Sequence, residues 1–152
     1  MVERQPLLLL VMSVAFAAGC GDSTGPSPIE LARNRAKWST LGPASYTFEF
    51  QRQCYCLLEA IRLVRISVQE GVVGNVSDAA TGESIPPAEV DQYFRITIDS
   101  LFGWVAAARQ NAAELDVEFD ETFGYPRDVW IDYLENAIDD EIGFTARLLV
   151  DP

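Results

Sequence analysis

Ser45-Tyr46-Thr47-Phe48-Glu49-Phe50-Gln51-Arg52 decides the fold. Aromatic and polar residues alternate along this run. Successive side chains of a strand point to opposite faces, so Tyr46, Phe48 and Phe50 share one face and Thr47, Glu49 and Gln51 share the other. One face seeks a core and the other tolerates water, which is the pattern of an antiparallel sheet covered on one side.

The neighbouring segments repeat this logic. Arg62 to Gln69 alternates with Val64, Ile66 and Val68 inward, and Glu70-Gly71 supplies a tight turn into a strand over Val72 to Val76. Ser77 to Glu89 is rich in Gly, Ser, Asp and Pro and reads as a loop. Leu115 to Phe119 reads as a strand with Val117 and Phe119 inward. Phe123-Gly124-Tyr125-Pro126 makes a turn, Val129 to Tyr133 returns, and Gly143 to Val150 is the last strand. Two helices punctuate the strands. Pro28 to Leu41 stops at Gly42-Pro43. Thr97 to Ala113 carries an apolar stripe of Ile98, Leu101, Phe102, Val105 and Ala112, with Thr97 as its cap and Asp99 in the first turn. The fold class is α+β: an antiparallel sheet of about six strands with helices on one face, in the order α-β-β-β-α-β-β-β. This order is compatible with two αβββ halves.

Ahead of the fold stands an export signal. Leu7 to Ala18 is apolar, of a length suited to a secretory h-region and short of the roughly 20 residues needed to span a bilayer. Ala17-Ala18-Gly19-Cys20 resembles the bacterial lipobox, departing from it at Ala17, where leucine is usual. The resemblance implies that residues 1–19 are removed and that the Cys20 thiol carries lipid and becomes the mature amino terminus. Lipid chains contribute about 0.8 kcal/mol per buried methylene, so several chains give a durable membrane attachment. Gly21 rather than Asp follows the cysteine, which by resemblance to sorting rules favours the outer membrane where there is one. Residues 20–28 are small, polar and proline-containing and read as a flexible tether. Residues 29–152 remain for a single globular domain, an expected length for one core.

The chain carries 23 acids, 11 bases and no histidine, for a formal charge of −12. Twelve of the acids fall from Glu114 onward, against two arginines. Nucleic acid is therefore a poor partner, and the commonest general base and metal ligand is missing.

Two clusters carry possible chemistry. With Cys20 lipidated, Cys54 and Cys56 are the remaining thiols in an oxidising compartment. A bridge between them, two free or intermolecularly paired thiols, and a redox or metal role all remain open. A bridge requires the strand to end or kink near Cys54, because two extended residues span roughly 6.6–7.2 Å, at or beyond the upper end of disulfide geometry. The second cluster is acidic. Asp116, Glu118 and Asp120 alternate on one segment, and Asp128 and Asp132 share outward parity with Trp130 on the returning one. If the segments pair, five carboxylates share a face. That face is open to three readings: solvent, a basic envelope protein or peptide, or calcium. Asp139-Asp140-Glu141 reads as an exposed acidic turn. Trp130, if exposed, is the candidate interaction anchor. No phosphate loop, nucleophile elbow or metalloprotease helix occurs, so no catalytic residues are assigned.

Trp38, the Ser45–Phe50 run, Cys54-Tyr55-Cys56, Val68 to Val72, Thr97 to Phe102, Gly124-Tyr125-Pro126 and Asp139-Asp140-Glu141 occur in that order. Together they resemble a family of uncharacterised bacterial lipoproteins known only as a domain of unknown function. The resemblance implies an envelope location and one domain, and it implies no activity. The expectation is a membrane-anchored, non-enzymatic binding or assembly module without a cofactor other than its lipid. The competing expectations are a small ligand-binding or enzyme domain with a cleft between sheet and helices, and an inhibitor-like domain docking on an envelope enzyme.

Overall fold

The computed structural model describes residues 25–137 and 139–149; the expected export signal, Cys20 and Val150 lie outside the described residues. Helix α1 spans Pro28–Leu41, strand β1 Ser45–Cys54, helix α2 Leu58–Ile61, β2 Val64–Gln69 and β3 Val72–Asp78. A turn of helix, α3, follows at Pro87–Glu89 and widens into a π-helical turn at Val90–Phe94. Helix α4 is Ile98–Asn111, β4 Glu114–Phe119, β5 Pro126–Asp132 and β6 Ile142–Leu149. The six strands form one antiparallel sheet in the order β3-β2-β1-β6-β5-β4.

This is the expected α+β architecture, with one topological surprise. The sheet is two meanders joined through β1 and β6. In the first meander the strand after the helix is central, whereas in the second, β4, it is at the edge. The two halves are therefore not equivalent copies in space. Burying the most aromatic strand at the centre of the sheet accounts for the placement of β1, whose Phe48 and Phe50 are wholly buried.

Local chemistry explains the element ends. Ser27 Oγ accepts the Glu30 N–H at 3.1 Å to start α1, with Pro28 in its first turn. Thr97 and Ser100 cap α4 reciprocally, each hydroxyl accepting the other residue's N–H at 3.2 and 3.0 Å. Glu70 and Gly71 both adopt positive φ, 48° and 79°, as the two-residue turn between β2 and β3 requires. The connection from Ser77 to Glu89 is more ordered than its composition implies. Asp78 Oδ1 accepts from the N–H groups of Ala80 and Thr81, and Ser77 bridges Ser84. Ile85 from this stretch, with Phe94 and Ile96 just beyond it, enters the core without periodic spacing to announce it.

Trp38 organises the join between helices and sheet. Its ring meets Tyr46 edge-on at 5.3 Å and Tyr125 at 5.9 Å. Each tyrosine hydroxyl then accepts a backbone N–H that regular structure leaves unpaired. Tyr46 accepts from Ile98, the first residue of α4, at 3.1 Å. Tyr125 accepts from Leu148 at 3.0 Å, beyond the last paired residues of β5 and β6. Gly124 permits this approach: at φ 79° it lies against α1, where a Cβ would fall 2.8 Å from the Asn34 carbonyl oxygen. The packed body also reaches further back than residue 29. Pro26 is buried, and its carbonyl accepts from Arg109 Nε at 2.6 Å, so the C-terminal end of the 20–28 segment is docked on α4.

Tyr125→Phe should leave the buried Leu148 N–H without an acceptor and lower stability by about 1–3 kcal/mol. Denaturant unfolding checks this, with Tyr133→Phe, an exposed tyrosine, expected to change the midpoint negligibly.

Candidate functional site

Helices α1 and α4 cover one face of the sheet, and the opposite face carries most of the residues singled out by charge. Across β4 and β5, Glu114 pairs with Asp132, Asp116 with Trp130 and Glu118 with Asp128. Four of the five expected acids thus share that face with Trp130. Glu114 joins them at the same parity, a residue the sequence reading omitted although its spacing from Asp116 announces it. Asp120 is a correction. It lies past the end of β4, where its Oδ1 accepts from the N–H groups of Thr122 and Phe123 at 2.9 and 2.7 Å. It builds the turn that delivers Tyr125 and is no part of an acidic face.

A bulge between Glu118 and Phe119 inserts Arg127, whose Nη2 reaches Glu118 at 2.7 Å. The acids are unequal as a result. Loss of solvent around Asp128, then the charge of Glu118, pushes its carboxyl above the ordinary value, and Arg127 only partly offsets this. Asp132 is tied to its own turn by the Leu134 N–H at 2.9 Å.

The centre of the same face has the opposite character. Glu49 is clamped between Arg65, 3.2 Å from one carboxylate oxygen, and Arg147, 2.6 Å from the other. The Arg147 hydrogen bond, foremost, and then Arg65 hold its carboxyl below the usual range despite the desolvation these side chains impose. The outer surface is therefore a centre with two arginines on one glutamate, net positive, flanked by an acidic edge on β4–β5.

Cys54 and Cys56 are bonded, with Cα atoms 5.2 Å apart. β1 ends at Cys54 and the chain bends at Tyr55, so the geometric condition read from the spacing is met. Closing so small a loop stabilises the fold by only about 1.6 kcal/mol on chain-entropy grounds. Its structural effect is to fix the bend, which leaves Tyr55 86% exposed beside exposed Leu57 and Leu58. Trp130 is half-buried in a shallow hollow lined by Gln53, Cys54, Tyr55, Asp139 and Glu141. The 139–141 segment is accordingly more than an exposed turn. Two of its acids face Trp130, and both carboxylate oxygens of Asp140 are buried without a hydrogen-bond partner.

This arrangement provides a charged, partly aromatic surface. It does not converge on a reacting atom. Among the described residues, no group of three or more Asp, Glu, Cys or His side chains is placed to hold a metal ion, so the calcium reading has no cage here. Cys20 lies outside the described residues.

On the covered face the sequence reading missed a feature. Arg52 has the parity of Phe48 and Phe50, and its guanidinium lies 5.4 Å over the Trp104 ring. It lines a cavity of about 320 Å³ between α4 and the sheet, together with Trp104, Ile131, Ile142 and Phe144.

An α+β domain with an open acidic sheet face and an aromatic inner face is the class that these observations define. Residues 30–151 match the profile of a family described as "Family of unknown function (DUF6174)", and the chain belongs to that family. Comparison with curated proteins and with solved structures finds no match.

Asp128→Asn should raise the thermal midpoint at neutral pH. A carboxyl whose folded pKa is raised contributes stability at low pH and loses it as pH rises through the folded value. The gain should therefore vanish in acid, once wild-type Asp128 is protonated in both states, and melting curves across pH check it.

Proposed function

We propose that this protein is a lipid-tethered module of the bacterial envelope that binds a basic protein or peptide through the β4–β5 face. The observation that carries this reading is the open pairing of Asp116 with Trp130 and of Glu118 with Asp128, on a face that no helix among the described residues covers. Like charges facing one another across strands destabilise a sheet. A cationic partner would relieve that repulsion and gain an aromatic contact at Trp130, combining electrostatic steering with a desolvated anchor. The bend fixed by Cys54 and Cys56 adds Tyr55 to the same hollow. Sequence supports the tether: the apolar run before Cys20 and the small residues at Ala18 and Gly19 suit lipid modification. The outer membrane is favoured in a two-membrane envelope by Gly21. Catalysis plays no part in this reading, since the acids lie on an open surface and burial is what creates a general acid.

Two experiments test it with the full-length protein. Intact mass after detergent extraction from membranes should show acyl mass on Cys20, and its absence would overturn the tether. A lysine-rich peptide carrying tryptophan should bind at low salt and be released at high salt. Combined Asp116→Asn and Asp128→Asn should weaken it roughly tenfold, equivalent to ~1.4 kcal/mol. Binding indifferent to salt and to these changes would contradict the reading.

A further inference from the structure

We infer that the cavity between α4 and the sheet, lined at one side by Arg52, is a binding site for a small organic monocarboxylate with an apolar or aromatic body. It lies on the opposite side of the sheet from the acidic face and is independent of it.

The reasoning begins with Arg52. It occupies the last inward position of β1 before the disulfide, in line with Phe48 and Phe50. A guanidinium at such a place loses solvent, and burial pulls Arg52 below its ordinary pKa. Five other arginines of this chain hold carboxylates: Arg62 pairs with Glu89, Arg65 and Arg147 with Glu49, Arg95 with Asp91 and Arg127 with Glu118, and half-buried Arg109 is satisfied by the Pro26 carbonyl at 2.6 Å. Arg52 has no ion pair among the described residues, in a chain with 23 acids. Among the described residues its one hydrogen bond is a long one, from Nη2 to the Tyr93 carbonyl at 3.4 Å, and its buried Nε has no partner. Buried donors are almost always satisfied, so an orphan on a guanidinium marks a place where a ligand completes the structure.

The rest of the cavity defines that ligand. Trp104, Phe144, Ile131, Ile142 and Ala107 line it, with Tyr133 at the rim, and no acid is among the lining residues. Its volume of about 320 Å³ is at the lower end of small-molecule sites, which run from roughly 300 to 1,000 Å³. An apolar body suits those walls. An anionic head suits Arg52, and a carboxylate matches the guanidinium fork with two parallel hydrogen bonds. A single positive charge balances one negative charge, so a monoanion fits better than a phosphate dianion in a protein already at −12. The Trp104 face beneath Arg52 holds the guanidinium over the cavity when it is empty.

The test is a binding series on the full-length protein in detergent, followed by ligand-observed saturation-transfer NMR and thermal shift. The probes are 3-phenylpropionate, its neutral amide, the corresponding amine, and acetate as a head without a body. Saturable binding of 3-phenylpropionate is expected, with the amide, the amine and acetate at least tenfold weaker. Arg52→Met should abolish that preference for the carboxylate. Ala107→Leu, a change at an exposed helix position that fills the cavity and leaves Arg52 in place, should abolish binding without unfolding the protein, and it keeps the test decisive should Arg52→Met misfold. No saturable binding of 3-phenylpropionate, equal binding of acid and amide, or binding untouched by Ala107→Leu would each overturn the inference.

Discussion

The fold depends on Trp38 standing between two tyrosines whose hydroxyls finish the backbone. Tyr46 holds the first amide of α4 and Tyr125 holds the Leu148 amide beyond the reach of β5. The three rings pack edge to face, so one cluster fixes α1 to the sheet, starts α4 and closes the far end of β6. Gly124 and Asp120 serve this cluster. The first lets the turn approach α1 without a side chain in the way, and the second accepts the turn's N–H groups.

Once the covered face is accounted for, what remains is a surface with two electrostatic regions. Glu49 between Arg65 and Arg147 leaves the middle of the sheet with a net positive charge. The β4–β5 edge leaves Glu114, Asp116, Asp128 and Asp132 without an ion pair among the described residues, and Arg127 is bound to Glu118 while only partly offsetting Asp128. The exposure of Tyr55 and the half-burial of Trp130 give that edge an aromatic component beside the disulfide. Charge and aromatic surface together are the ingredients of recognition.

Much of this was legible in the sequence where a side-chain period ran uninterrupted. The alternation of β1, the stripe of α4 and the Glu70-Gly71 turn each announced their element. The pairing of Asp116, Glu118, Asp128 and Asp132 on one face followed from parity alone. Parity failed at Asp120 because the strand had ended, and a side chain that satisfies local N–H groups stops being a surface charge. The order of strands in the sheet depends on long-range pairing of β1 with β6, which no local pattern encodes. The Arg52 cavity was hidden for a related reason: its parity was visible, but the missing counter-charge is a property of the assembled molecule.

Amide hydrogen exchange on the wild-type protein and on Tyr125→Phe tests the central role of the tyrosine hydroxyls most directly. The Leu148 amide, whose N–H the Tyr125 hydroxyl accepts, should exchange slowly in the wild type and should lose protection by at least tenfold in Tyr125→Phe, while the Ile66 and Phe50 amides of the central strands keep theirs. A Leu148 amide that exchanges at an unprotected rate in the wild type would contradict the role assigned to Tyr125.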